Sequence, residues 1–508
     1  MKQNRREFLT KSCAALSMGA LATQMGHFGL MTAQAQKRID AKFDVNDAQL
    51  VPSDYRALVC VFLSGGNDSN NMVVPNHSDA TISNYSIYNT ARTTQGLAIP
   101  QASLLPITVP RMGGLTYGLH PGLGIQPAGT NIVNNGIHEL WGLGKLAVVA
   151  NVGTLVAPMT RTTYLNNTIK KPYQLFSHSD QTNQYQGGRS DVTSFTGWAG
   201  RVADLRNMTD NPSGLIPMVT SIAGAQLFTN GQTSLPMAIN DAGTSLANVL
   251  NPAGFGSTAA EIARKTSFNG LRGLDLSSNV VAAASHIMDS AIAANTALQT
   301  SQEVTVTFPN TGLGRQLKQV ARLIKTRAGL GINRQVFYVQ IGGFDTHNFQ
   351  IGDQANLMVQ IGQAMRAFYE EMVAQGIPDK VTQFTMADFS RTLGPNGTVA
   401  DAGTDHGWGS HQFVLGGGIT AADFYGMNGS NGTPFPQLVV NSADDSDNGS
   451  GARGRFVPAT GADQYAATLA RWFGVASSDM TTILPKIANF TNSGGINTNL
   501  GFMQPPAP

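Results

Sequence analysis

Four short stretches of this chain set carboxylates, imidazoles and hydroxyls among glycines or small polar residues. Asp68 ends Gly65-Gly66-Asn67-Asp68, and Ser177-His178-Ser179-Asp180 follows Phe176. Asp345-Thr346-His347 comes directly after Gly342-Gly343-Phe344, and Asp405-His406 lies inside Gly403-Thr404-Asp405-His406-Gly407, with His411 close behind. Carboxylates and imidazoles converging from several loops can hold one or two divalent metals, which polarise an ester oxygen and activate a nucleophile. Oxygen-rich ligation suits Mg or Mn, and more imidazoles favour Zn. Arg391 could hold an anionic group through a bidentate contact. His120, in Gly118-Leu119-His120-Pro121-Gly122, reads as a capping or packing residue, and His77 and His138 as surface residues.

The elements that must position these residues are visible as apolar runs. Residues 57–63, 146–150, 335–341 and 381–386 are continuous and rich in β-formers, as expected of strands buried on both faces of a parallel sheet. The first, third and fourth run into Asp68, Asp345 and Asp388 respectively. Ligand sites of open α/β sheets lie at the carboxyl ends of the strands, so these acids are expected at one edge. Helical stripes lie between the strands: Leu317, Val320, Ala321 and Ile324, then Leu357, Ile361, Met365, Phe368 and Met372, stopped by Gly376 and Pro378. Tyr465, Leu469, Trp472 and Phe473 form another, capped by Gly474. Residues 190–330 read as an insertion or cap.

The chain has 508 residues, 42% hydrophobic and only 13% charged, which excludes disorder driven by like charge. Residues 1–35 read as a leader: Arg5-Arg6 before Phe8-Leu9, a mildly apolar stretch, then Ala33-Gln34-Ala35. That pattern predicts twin-arginine export, hence a periplasmic protein or one secreted further, with the export machinery as a partner. Removing the leader takes four of the 33 basic and one of the 31 acidic residues, leaving 29 against 30. A near-neutral mature chain carries no electrostatic footprint for nucleic acid. No later run approaches the ~20 apolar residues of a membrane span. Cys13 leaves with the leader, so Cys60 has no intrachain disulfide partner. Asp444 to Asn448 opens like a calcium loop, but Phe456 fills the position of the bidentate glutamate, and a solvated acidic turn is expected.

As a set, residues 62–75, 175–181, 342–347, 388–392 with 403–407, and 451–474 resemble the twin-arginine-exported family called domain of unknown function 1501, of the alkaline phosphatase superfamily. The resemblance implies one α/β domain over residues 36–508, a mostly parallel sheet between helices. It also implies roles: Asp68 as metal ligand after the first strand, Ser177 as nucleophile touching a metal, Asp345 with His347 on the other metal, and Asp405 with His406 returning to the first. His178 and His411 join the candidates from their positions.

The chain departs from that pattern. Asp345 and His347 are two residues apart where phosphatases of the superfamily commonly have four, and no histidine follows His411. Thr162 beside Arg161 lies nearer the end of the second strand and competes with Ser177 as nucleophile. The sulfatase nucleophile motif is not visible around Ser177. The expectation is an exported hydrolase of phosphate or sulfate esters using one or two of Zn, Mn or Mg. Its alternative is a non-catalytic periplasmic or cell-surface protein that keeps the fold for binding or assembly.

Overall fold

The structure is a computed structural model describing residues 54–126, 135–249, 256–272, 289, 291–299, 303–492, 495–496 and 499–505. The leader read at residues 1–35 lies outside the described residues. In chain order the strands are β1 (Arg56–Leu63), β2 (Val73–Pro75), β3 (Leu105–Val109), β4 (Leu115–Leu119), β5 (Leu146–Gly153) and β6 (Val219–Ser221). Then follow β7 (Met237–Ala238), β8 (Arg334–Ile341), β9 (Val381–Ala387), β10 (Ser410–Gly416), β11 (Phe424–Tyr425) and β12 (Thr460–Gly461). The four apolar runs are thus β1, β5, β8 and β9, each buried along its length apart from a half-buried Gln340.

These four belong to the nine-stranded main sheet, in the order β11-β5-β10-β9-β1-β8-β6-β7, with β12 also against β5. β1 lies between β8 and β9 and is parallel to both. β10 is antiparallel to its neighbours β9 and β5, so those two share a direction. The fold is therefore α/β with a mostly parallel sheet. Its carboxyl edge receives the loops after β1, β5, β8 and β9, and the loop that enters β10. β2, β4 and β3 form a separate small antiparallel sheet.

The alternation of β1 shows why both faces are covered. Ala57, Val59, Val61 and Leu63 belong to one core, and Leu58, Cys60 and Phe62 to the other. Seven helices matter for the site: α1 (Ser69–Met72), α2 (Tyr85–Arg92), α3 (His178–Gly187), α4 (Trp198–Asp210), α5 (Gly312–Lys325), α6 (Gln350–Ala374) and α7 (Ala462–Phe473). The apolar stripes of α5 and α6 pack on the first face, together with the small sheet. Tyr185 of α3, Trp198 and Val202 of α4, and Tyr465 and Leu469 of α7 pack on the second. α7 ends at Gly474 with φ 118°, a left-handed cap that glycine adopts without penalty.

Residues 190–330, expected as an insertion or cap, reach into the sheet itself: β6 pairs with β8 and β7 with β6. The run at Val219–Ser221 is too short to read as a strand from pattern. β10 is equally hidden, because Ser410, His411 and Gln412 are polar yet fully buried. Among the described residues no helix is long and apolar enough to cross a membrane.

Candidate metal centre

Three loops bring imidazoles to one carboxylate oxygen. Asp345 and His347 follow β8, His178 opens α3, and His406 precedes β10. Asp345 Oδ1 lies 3.0 Å from His347 Nε2, 3.3 Å from His178 Nε2 and 3.5 Å from His406 Nε2. His406 Nε2 is 3.1 Å from both His178 Nε2 and His347 Nε2. Ligand atoms of His178, Asp345 and His406 all lie within 4.8 Å of one another.

Each imidazole is held from behind at Nδ1. His178 Nδ1 meets Asp388 Oδ2 at 2.7 Å, and His406 Nδ1 meets the Phe176 carbonyl at 2.8 Å. His347 Nδ1 lies 3.4 Å from Asp405 Oδ1. An acceptor at Nδ1 keeps the proton there, so each neutral ring turns an Nε2 lone pair toward the other two. Asp388 is buried and accepts in turn from the Gly65 amide at 3.2 Å. Imidazole nitrogens around one ion at ~2.0–2.1 Å sit about 3.3 Å apart in tetrahedral geometry, close to the 3.1 Å seen here. The donor set and its backing acceptors therefore fit a divalent metal.

Electrostatics follow the same partners. The hydrogen bond to Asp388 raises the His178 pKa against the opposing effect of burial. Burial lowers that of His406, with His178 and Arg391 adding to the effect. Burial pushes the Asp345 carboxyl up, but the Arg391 hydrogen bond and charge outweigh it and leave it below the usual carboxylate range. Asp405 behaves alike, with Asn396 and Arg453 overcoming burial.

Backbone packing explains the glycines. A Cβ on Gly65, whose φ is 113°, would come within 2.5 Å of the Asp345 amide nitrogen. One on Gly403 would come within 2.2 Å of the His347 carbonyl carbon. Phe176 has φ 71°, uncommon for a bulky residue, and that turn carries the carbonyl that meets His406.

The family model described as "Protein of unknown function (DUF1501)" matches residues 55–444. The chain belongs to this family. The matched span contains His178, Asp345, His347, Asp388, Asp405 and His406, while Arg453 and Arg455 lie beyond it. Among solved structures, a mutant of alkaline phosphatase PafA is similar at 9% identity and a TM-score of 0.23. That match covers 67% of this chain and 64% of the other, so it spans less than two thirds of the phosphatase. Among curated proteins none matches.

Other residues expected at the site are placed elsewhere. Asp68 is buried and caps α1; it accepts from Arg92 Nη1 at 2.5 Å and Nη2 at 3.1 Å, and from Gln350 Nε2 at 2.5 Å. Its carboxylate is thus occupied by a guanidinium and an amide and stands outside the His178–Asp345–His406 group. His411 lies inside β10, stacked on Phe435 at 4.7 Å, and accepts from the Asn151 amide. Burial lowers its pKa to about 3. Arg391 is buried, with Nη1 on Asp345 Oδ1 at 2.7 Å and other donors on Thr404 and Gly65, so its fork is not open to a ligand.

Ser177 is half-buried beside His178 and donates to Asp180 Oδ2 at 2.5 Å. Thr162 lies in the short helix Arg161–Leu165. His120 caps the 3-10 turn Pro121–Leu123 through Nδ1, and burial lowers its pKa to about 4. The acidic turn at Asp444 is not solvated: Asp444 and Asp445 are buried and accept from backbone amides. Asp388, Asp180, Arg453 and Arg455 received no role from the sequence, although Asp388 ends a strand run and Asp180 lies in the Ser177-to-Asp180 stretch.

Proposed function

We propose that the chain is an exported, metal-dependent hydrolase of phosphate or sulfate esters, with an alkaline-phosphatase-like frame and one metal. The observation that carries this is the convergence of three Nε2 atoms on Asp345 Oδ1, each ring backed by an oxygen acceptor. His178, His406 and Asp345 would hold the ion, with His347 beside them. An imidazole-rich set favours Zn over Mg. A bound divalent ion there supplies Lewis-acid polarisation of the ester and a lower pKa for the nucleophile.

Ser177 is the favoured nucleophile over Thr162, because it adjoins His178 and already donates to Asp180. Its Oγ forms the bond to phosphorus or sulfur as its proton passes to Asp180, and the bond to the leaving oxygen breaks. The leaving oxygen takes up that proton, and water then cleaves the seryl ester. With Arg391 committed to Asp345, the anionic group of the substrate falls to Arg453 and Arg455. Arg455 Nε donates to the His406 carbonyl at 2.8 Å, and Arg453 Nε lies 3.4 Å from Asp405 Oδ2. Both are more exposed than Arg391.

The test is elemental analysis of protein purified from the periplasm without chelators, followed by an ester screen. About one equivalent of zinc, with turnover lost in Ser177→Ala, is the expected result. Bound metal without turnover of any ester would favour the non-catalytic binding protein, and absence from the periplasm would remove export.

A further inference from the structure

Behind the metal centre runs a chain of buried hydrogen bonds. Arg391 Nη1 donates to Asp345 Oδ1 at 2.7 Å, while its Nε donates to Thr404 Oγ1 at 3.3 Å. Thr404 Oγ1 donates to Gln350 Oε1 at 2.5 Å, and Gln350 Nε2 donates to Asp68 Oδ2 at 2.5 Å. Asp68 is closed at the far end by the Arg92 guanidinium, whose Nη2 also reaches the Thr392 carbonyl at 2.9 Å. None of Asp68, Arg92, Gln350, Arg391 and Thr404 is more than 1% exposed.

Arg391 donates both ways, toward Asp345 and toward Thr404, and from Thr404 to Asp68 every donor points the same way. The Thr404 hydroxyl accepts once and donates once, the Gln350 amide accepts at Oε1 and donates from Nε2 to Asp68 and, at 3.5 Å, to Gln354, and the Asp68 carboxylate terminates the series. Out of reach of water, each group must find its partners within the protein, and Arg391 and Arg92 are further held by the Gly65, Thr404 and Thr392 carbonyls, so the arrangement is over-determined. We infer that Asp68, Arg92, Gln350 and Thr404 are positioning residues of the metal centre, fixing Arg391 and through it the orientation of Asp345. The inference rests on the metal-centre reading. It gives Asp68 a task at the site without making it a ligand.

Removing Asp68 would strand Arg92 in the interior and risks unfolding, so the test breaks the chain at its neutral links. Full-length wild type and variants are stripped, reloaded and titrated with Zn2+ against a chelating dye. Thr404→Val removes the hydroxyl and should weaken zinc binding about tenfold, the scale of outer-shell substitutions at metal sites. Gln350→Met should reproduce that loss, and Thr404→Ser should stay within about twofold of wild type. The control is Asp210→Asn. Asp210 is fully buried and paired with Arg206 at 2.7 Å, next to the Asn211 cap that binds the start of β8, at the opposite edge of the sheet. It should lower the melting temperature and leave zinc affinity unchanged.

Zinc affinity of Thr404→Val equal to wild type would overturn the inference, as would a Thr404→Ser as weak as Thr404→Val, or an equal loss in the control. Wild-type protein that takes up no zinc would fail differently, by removing the metal centre itself.

Discussion

Two acidic loop regions of this protein look alike in composition and differ in what reaches their oxygens. At the metal centre the oxygen of Asp345 is met by three imidazole nitrogens and one guanidinium. At the turn around Asp445, Oδ1 accepts from the amides of Asp447 and Arg455 at 2.9 and 3.0 Å, and Oδ2 from Asn441 at 2.8 Å. Backbone amides cannot leave, so the second region is a structural knot. Imidazoles whose Nε2 atoms meet around one oxygen have a geometry that could hold a divalent ion. Asp463 is a third case: it is buried in the first turn of α7, and neither oxygen has a hydrogen-bond partner among the described residues.

The sharpest break between the regions should come from His406→Gln, which removes one inward lone pair. Zinc affinity is expected to fall more than a hundredfold by dye competition, with the melting temperature of metal-free protein little changed. Asp388→Asn tests the backing of His178 and should cost about 10–100-fold in affinity. Asp445→Asn should do the reverse. It should lower unfolding free energy in urea by about 1–3 kcal/mol, because amides lose their acceptor, while zinc stoichiometry stays as in wild type.

Asp463→Asn sharpens the third case through pH. Burial raises the folded-state pKa to about 8, against an ordinary 3.8. Between those values the folded carboxyl holds a proton that the unfolded chain has released, so this group's contribution to stability falls as pH rises through the window. The asparagine variant should therefore gain on wild type in urea titrations at pH 8 relative to pH 4. A gain of the same size at both pH values would refute the assignment. The smallest effect is expected from Phe176→Gly. It frees the left-handed backbone of its side-chain penalty yet keeps the carbonyl on His406, so zinc affinity should stay within about threefold.

Much of the frame was legible because β1, β5, β8 and β9 are buried on both faces and spell out continuous apolar runs. β10 was not, since its buried Ser410, His411 and Gln412 find partners or packing that no pattern announces. At the site, strand-end position pointed to the loop of Asp345 and His347, and a glycine-rich setting to Asp405 and His406; the fold brings these residues together. The same rule applied to Asp68 could not register that Arg92, from α2, would occupy its carboxylate. Spacing within a loop reports which residues reach an edge of the sheet. It does not report which distant side chain arrives there first.

The reversed direction of β10 has its own consequence. β9 and β10 are adjacent and antiparallel, so the connection from residue 388 to 409 is anchored by both ends in the sheet, and bridges Arg391 to His406 and Asn396 to Gly403 close it like a zip. Asp388, Arg391, Thr404, Asp405 and His406 all lie on the closed part. The tip at residues 397–400 is exposed and beyond the last bridge. Length there is decoupled from geometry below, which makes the tip a natural place for inserting a reporter or a binding epitope within sight of the centre.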